Sequence, residues 1–274
     1  MNLRQLCALS AAPGFAARAD RLASELGLKQ LPWPVHKPLY CQPGDKAAFF
    51  CLLLVDAQGL QLQLTGPKAP GPVRCDFASG AAAHRRQYGG GKKQDLSRAV
   101  GLDKRTDLSV VDMTAGLGRD GFVLATLGAR VTLLERNPVV HALLADGLQR
   151  AADAGEPDLQ TIVGRMQLLP WDALQLGCEA QSTLQAEADV AYLDPMFPER
   201  QKSAKVKKDM QAFHVLVGDD ADADQLLTNA LDLARYRVVV KRPAKAPYLD
   251  NRKPAHSLVG KSTRYDIYSK QKLV

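Results

Sequence analysis

The chain has 274 residues, 46% of them hydrophobic and 24% charged, enough for one large domain or for a core domain with an appendage. It has no low-complexity tract or internal repeat. Its longest apolar run, Ala47–Val55, falls far short of the ~20 residues a membrane helix needs, so no membrane partner is expected. A net charge of +7 and a pI near 9.2 are compatible with nucleic acid without requiring it.

Cys7, Cys41, Cys51, Cys75 and Cys178 are odd in number, form no C-x-x-C pair and have no histidines clustered near them. That argues against a disulfide framework and against a zinc site, and points to a reduced, cytoplasmic protein without a metal. Leu6–Ala12 behind Arg4 faintly imitates an export signal, but Pro13, Gly14 and Arg18 interrupt it, so export is rejected.

In chain order, Leu22, Leu26 and Leu28 among charged residues predict an amphipathic helix after Pro13-Gly14. Leu31–Pro43, with four prolines, reads as an extended connection. Phe49–Val55 and Leu60–Leu64 flank Asp56-Ala57-Gln58-Gly59, a hairpin signal, and Val73–Phe77 is expected as one more strand. These elements make up a small α+β module over residues 1–78, with a second domain over 79–274. At the junction, His84–Lys93 places Arg85, Arg86, Lys92 and Lys93 around three consecutive glycines. It reads as a solvated linker, a phosphate-backbone contact, or a loop closing over a cofactor.

The stretch Val110–Gly121, VVDMTAGLGRDG, is the one around which the rest of the chain is organised. Val110 and Val111 end a buried strand, Asp112 stands where it stops, and a small-residue turn leads to the helical run Phe122–Leu127. Glycines allow a sharp turn and close approach to a ligand, and the helix N-terminus beyond them offers unpaired N–H groups. The spacing Gly116-x-Gly118-x-x-Gly121 also satisfies the dinucleotide fingerprint. An NAD site needs room for a pyrophosphate at this turn, whereas S-adenosylmethionine brings a cationic methionine end that favours an acid such as Asp112.

Arg130–Leu134 is a second strand ending in Glu135, near the spacing at which a carboxylate meets an adenosine ribose. Asn137-Pro138 opens a helix over Val139–Ala152. Met166–Leu169 is a third strand, and Asp172 after it is either an adenine partner or a helix N-cap. The fourth, Ala188–Leu193, runs into Asp194-Pro195-Met196-Phe197-Pro198. A strand-end Asp-Pro-x-aromatic suits methyl transfer to an exocyclic amine, whose lone pair is conjugated with its ring. Asp194 and the Pro195 carbonyl can accept the amine's N–H bonds, and Asp194 can take the released proton. Phe197 offers a stacking face for an extruded base.

Arg200, Lys202, Lys205, Lys207 and Lys208 come directly after, where phosphate contacts would be needed. Asp219, Asp220, Asp222 and Asp224 then lead into a helix over Gln225–Ala234. Arg237–Lys241 forms a fifth strand, Arg242-Pro243 and a Pro/Lys-rich loop to about His256 follow, and Thr263–Ser269 is the last strand. From Arg235 onward, eleven Lys or Arg face only Asp250 and Asp266, so positive charge is concentrated here.

VDMTAGLGRDGFVLATLGARVTLLERNP, AYLDPMFPERQKSAKVKKDM and RVVVKRPAKAP together resemble the small-subunit ribosomal RNA (guanine-N2)-methyltransferase J family (RsmJ), from about His84 to Ser269. The resemblance implies a class I S-adenosylmethionine-dependent methyltransferase fold, Rossmann-like and doubly wound around a mostly parallel sheet. It implies S-adenosyl-L-methionine as donor and one guanine amine of small-subunit rRNA, free or in the ribosomal subunit, as target. The family's cofactor contacts fall on Arg119-Asp120, Glu135-Arg136, the pair Asp172-Ala173, where relatives often carry two serines, and Asp194. Met196 agrees with the family pattern.

The expected site therefore has Asp194, Pro195 and Phe197 as catalytic residues. Asp112, Gly116, Gly118, Arg119, Asp120, Glu135, Arg136, Asp172, Ala173 and Asp194 would hold the cofactor. Arg85, Arg86, Lys92, Lys93, Lys202, Lys205, Lys207, Lys208, Lys241 and Arg242 would contact RNA. The competing readings are an amine methyltransferase for DNA or protein, an NAD-dependent oxidoreductase, and a non-catalytic RNA-binding assembly factor. Oligomeric state is left open.

Overall fold

The computed structural model describes residues 6–33, 49–65, 69–79, 91, 94–176, 182, 184, 188–196 and 223–273. The chain divides into two compact units. One gathers the described residues of Met1–Cys75 with Asn137–Arg150; the other contains Asp76–Arg136, Ala151–Phe197 and Asp220–Val274.

The first unit is built on a four-stranded sheet in the order β2-β1-β3-β4, from β1 (Cys7–Ala11), β2 (Lys29–Leu31), β3 (Cys51–Asp56) and β4 (Gly59–Leu64). β1 runs parallel to both β2 and β3, and α1 (Ala16–Leu26) connects β1 to β2. Gly27 ends α1 in the left-handed region, with its N–H on the Ala23 carbonyl. β3 and β4 form the expected hairpin. β1 and β2 were not expected: CALSA lies in the segment weighed as an export signal, and its parallel partner β3 is distant in sequence. Val73–Phe77 is not a strand among the described residues; only Val73 bridges to Leu62.

The helix Pro138–Ala152 belongs to this first unit through Arg150. Its Asp146 is buried and pairs with both Arg18 and Arg150, while Arg150 also donates to the Cys75 carbonyl. Two guanidiniums on one buried carboxylate satisfy a group that would be costly to bury unpaired.

The second unit holds a seven-stranded sheet in the order β10-β11-β9-β8-β5-β6-β7. Its strands are β5 (Ser109–Asp112), β6 (Arg130–Leu134), β7 (Met166–Leu169), β8 (Val190–Leu193), β9 (Arg237–Pro243), β10 (His256–Val259) and β11 (Thr263–Ser269). β5 to β9 are mutually parallel, and β11 is antiparallel to both β9 and β10, so a β10–β11 hairpin forms one edge of the sheet. Its helices are α2 (Asp95–Val100), which precedes β5, α3 (Arg119–Thr126), α5 (Pro157–Val163) and α6 (Ala223–Leu233); α4 (Pro138–Ala152), which follows β6 in sequence, is the helix of the first unit described above. α5, a short helix with Pro157 at its first turn, was not expected.

Alternation along the strands sorts the two sheet faces. Val111, Ala191 and Val238 share one register row and, with Leu134, Leu193 and Val240, bury against Leu226, Leu227, Ala230 and Leu233 of α6. Each buried leucine of α6 contributes roughly 1.5–3 kcal/mol relative to exposure. On the opposite face α3 approaches β6 closely: a Cβ on Gly121 would stand 2.6 Å from Leu133 Cδ2. Phe122 of α3 stacks on Phe77 at 4.7 Å between ring centroids.

Strand order reverses at β5, whose neighbours are β6 on one side and β8 on the other. In open parallel sheets the ends of such strands leave a crevice, and that crevice is the usual place for a ligand.

Candidate active site

Asp112, Glu135 and Asp194 stand at the C-terminal ends of β5, β6 and β8, and a web of backbone bonds ties these ends together. Met113 N–H donates to the Tyr192 carbonyl at 3.0 Å, and Ala115 N–H to the Leu134 carbonyl at 3.1 Å. Asp194 N–H donates to Thr114 Oγ1 at 2.7 Å. Gly116 N–H donates to Glu135 Oε2 at 2.9 Å. The glycine turn is therefore held by the two neighbouring strands as well as by its own residues.

Gly116 has φ +54° and Gly118 φ +67°, both in the left-handed region. A Cβ on Gly116 would meet nothing within 4 Å, so the turn faces open space. Gly118 caps α3, and Arg119 and Asp120 open that helix, Arg119 exposed and Asp120 partly buried. Asp172 lies after β7, where its Oδ1 accepts the Leu174 N–H at 3.0 Å. It thus caps a turn rather than a helix. Arg136 Nη1 lies 3.9 Å from Asp172 Oδ1, and Ala173 is buried with its carbonyl accepting from Asn229.

The strongest electrostatic feature is a cluster of two carboxylates and a cation. Lys241 Nζ donates to Asp120 Oδ2 and to Asp194 Oδ2, both at 2.7 Å. The Tyr192 hydroxyl donates to the same Asp120 Oδ2 at 2.7 Å. Burial alone would lower the pKa of Lys241, but the carboxylates of Asp194 and Asp120 outweigh it and raise it. Asp194 is crowded by protein yet keeps 39% of its side-chain surface open. Burial raises its pKa, and Lys241 opposes that rise. Asp112 is buried, accepts the Thr114 N–H at 3.1 Å, and is pushed up to about 8 by burial. Burial likewise raises Tyr192, and Tyr265 to about 12.

Two of the residues expected to contact RNA have partners within the protein. Arg242 is buried, and its Nε and Nη2 both donate to the Pro247 carbonyl, at 3.0 and 2.6 Å. It clamps the loop after β9 and is not presented to a phosphate. Lys241 is occupied by two carboxylates. Arg85, Arg86, Lys92, Lys93, Phe197, Lys202, Lys205, Lys207 and Lys208 lie outside the described residues. Pro195 is buried directly after Asp194. Thr114, Tyr192 and Tyr265 were not expected as site residues.

The profile of the family described as "Putative SAM-dependent methyltransferase" matches residues 41–270. A relative from Stutzerimonas stutzeri (strain A1501), named Ribosomal RNA small subunit methyltransferase J, is 52% identical over 262 residues, 96% of this chain and 94% of its own length. The chain belongs to the small-subunit ribosomal RNA methyltransferase J family of S-adenosylmethionine-dependent methyltransferases. A relative of the same name from Cellvibrio japonicus (strain Ueda107) is 54% identical over 230 residues, covering 81% of this chain and 84% of its own length. Among solved structures, the SAM-dependent methyltransferase NGO1261 from Neisseria gonorrhoeae is 34% identical, covers 95% of each chain and superposes with a TM-score of 0.67. The fold is the class I, Rossmann-like methyltransferase fold.

The cofactor of the family is S-adenosyl-L-methionine, and the strand-end residues suit it. The turn at Gly116 leaves open space that any larger residue would enter. Asp112, Glu135 and Asp194 end the strands around that turn, and three carboxyl groups match a cation and a ribose diol better than a pyrophosphate. The glycine spacing that admitted an NAD reading is therefore accounted for by the methyl donor.

Proposed function

We propose that this chain methylates the exocyclic N2 amine of a guanine in small-subunit (16S) ribosomal RNA, acting in the cytoplasm on the free RNA or on the ribosomal subunit. The observation that carries the reading is Asp194, which ends the strand beside the glycine turn with a partly open carboxylate. The names of relatives more than half identical to the chain support the RNA substrate, and the resemblance of the Asp194-Pro195-Met196-Phe197 stretch supports the guanine amine.

When bound, S-adenosylmethionine supplies an electrophilic methyl group. Asp112 would face its cationic end, the Gly116–Gly118 turn would pass beside its methionine moiety, Glu135 would accept from the ribose hydroxyls, and Asp172 would lie toward the adenine. Arg119, Asp120, Arg136 and Ala173 would complete that lining. On the target side, Asp194 and the Pro195 carbonyl accept the amine's N–H bonds and turn its lone pair out of conjugation. The amine would gain one bond to the methyl carbon as that carbon's bond to sulfur breaks and the donor leaves as a neutral thioether, and it sheds one N–H proton, which Asp194 accepts. Phe197 would stack on the base, and the basic residues around it and at 85–93 would hold phosphates. Residues 1–78 would act as an accessory module to this chemistry.

The test is transfer of radiolabelled methyl groups to deproteinised small-subunit rRNA, the assembled small subunit, duplex DNA and a protein extract. Label should appear in one of the two rRNA substrates, as N2-methylguanosine on nucleoside analysis. Label only in DNA or protein would overturn the substrate assignment.

A further inference from the structure

We propose that Lys241 is a positioning residue for Asp194. Its ammonium holds the target-side carboxylate ionised and fixed through Oδ2, and it ties that carboxylate to Asp120 at the start of α3. The proposal rests on the assignment of Asp194 as acceptor of the target amine's proton.

The geometry starts from strand register. Leu193 of β8 pairs with Val240 of β9, so Asp194, the first residue past β8, emerges beside Lys241, which continues in β9. Lys241 in turn pairs with Tyr265 on β11. The ammonium lies 2.7 Å from Asp194 Oδ2 and 2.7 Å from Asp120 Oδ2. Two short charge-assisted bonds to acids on different elements fix an otherwise flexible side chain. Among the described residues, Asp194 Oδ1 carries no hydrogen bond, which leaves one oxygen for the target while the other stays on Lys241.

The groups that bear on Asp194 come from every element packed around it: Asp112 on β5, Asp120 on α3, Tyr192 on β8 itself, Lys241 on β9 and Tyr265 on β11. Four of these five are acids or phenols, and Lys241 is the cation among them. Burial and neighbouring Asp120 favour the protonated carboxyl at 194, a form that cannot accept the amine's proton; Lys241 works against both. Removing the cation therefore raises the pKa of Asp194, and removing Asp120 lowers it.

The experiment compares the wild type with Lys241→Met, Lys241→Arg and Asp120→Asn. The side-chain carboxyl of Asp194 is titrated by carbon NMR, with its signal assigned by Asp194→Asn. Lys241→Met should raise the Asp194 midpoint by roughly one to three pH units, the size of effect an adjacent opposite charge has on a carboxylate. Lys241→Arg should restore most of the wild-type midpoint, and Asp120→Asn should move it the other way. The acid limb of the single-turnover methylation rate should move with it in each variant. An Asp194 midpoint unchanged in Lys241→Met overturns the proposal, as does an equal loss of rate at every pH. Because the NMR titration needs no RNA, it decides the role of Lys241 even if wild-type protein fails to methylate rRNA, an outcome that would sink the substrate assignment alone.

Discussion

Asp194 and Thr114 lie 80 residues apart in sequence, yet the Asp194 N–H donates to Thr114 Oγ1 at 2.7 Å. One residue belongs to the target-side motif and the other to the glycine turn. Their bond makes the position of the carboxylate depend on the same turn that lines the crevice, so target and donor sides share one frame. Thr114→Val keeps the shape and removes the acceptor. The methylation rate should fall roughly ten- to a hundredfold, the order expected when a reacting group shifts by a fraction of an ångström to about 1 Å. Thermal denaturation should change little by comparison, and single-turnover kinetics beside a melting curve would show the split.

Gly116 carries a different constraint. Its φ of +54° is left-handed, and a Cβ there would point into open space. Gly116→Ala should cost about 1–2 kcal/mol of backbone strain, and Gly116→Val should add bulk where the cofactor lies. Calorimetric titration with S-adenosylhomocysteine should show affinity falling from glycine to alanine to valine. Equal affinities for all three would remove this turn from the cofactor site.

Gly147 tests packing in the first unit. A glycine inside a helix such as α4 is ordinarily improved by alanine, by about 1 kcal/mol. Here the added Cβ would stand 2.8 Å from Cys75 Cβ and 3.1 Å from the Cys75 carbonyl oxygen. Neither atom can swing away as a flexible side-chain tip would, so the clash outweighs the propensity gain. Gly147→Ala should lower the melting temperature where helix propensity alone predicts a rise.

Asp112 makes stability depend on pH. Its carboxyl is raised from an ordinary 3.8 to about 8 by burial, so between those values the folded chain holds a proton that the unfolded chain has lost. This contribution to stability is fully present below the unfolded value and is lost as pH rises through the folded one. Asp112→Asn keeps an acceptor for the Thr114 N–H and removes the titration. Melting temperatures measured from pH 5 to 9 should fall less steeply for Asp112→Asn than for the wild type, with the variant more stable at the alkaline end. Binding of the cationic donor, which favours ionised Asp112, should tighten over the same range in the wild type and not in the variant.

The acids at the ends of β5, β6 and β8 were legible because each closes an apolar run and so interrupts the hydrophobic pattern at a strand end. The parallel sheet could be read from strands alternating with helices. The protein partners of Lys241 and Arg242 were not legible in the sequence, for a physical reason. Both look like surface cations in a basic tail, and only the register of β8 with β9 shows that Lys241 emerges beside Asp194. Arg242 points the other way, into the loop that it clamps through the Pro247 carbonyl. β1 escaped notice because its pairing is long-range: Cys7 aligns with Cys51, and CALSA has no alternation of its own to announce it. Tyr192 lay within an apolar run and looked like core, and it is buried; its hydroxyl nevertheless reaches Asp120.

The central claim is that Asp194 serves methylation of a small-subunit rRNA guanine. Its most direct test is mass mapping of modified nucleotides in small-subunit rRNA from cells lacking the protein, and from the same cells supplied with wild type or Asp194→Asn. One N2-methylguanosine should disappear without the protein, return with the wild type and remain absent with Asp194→Asn. An rRNA whose methylguanosines are unchanged by loss of the protein, or are fully restored by Asp194→Asn, would contradict the account.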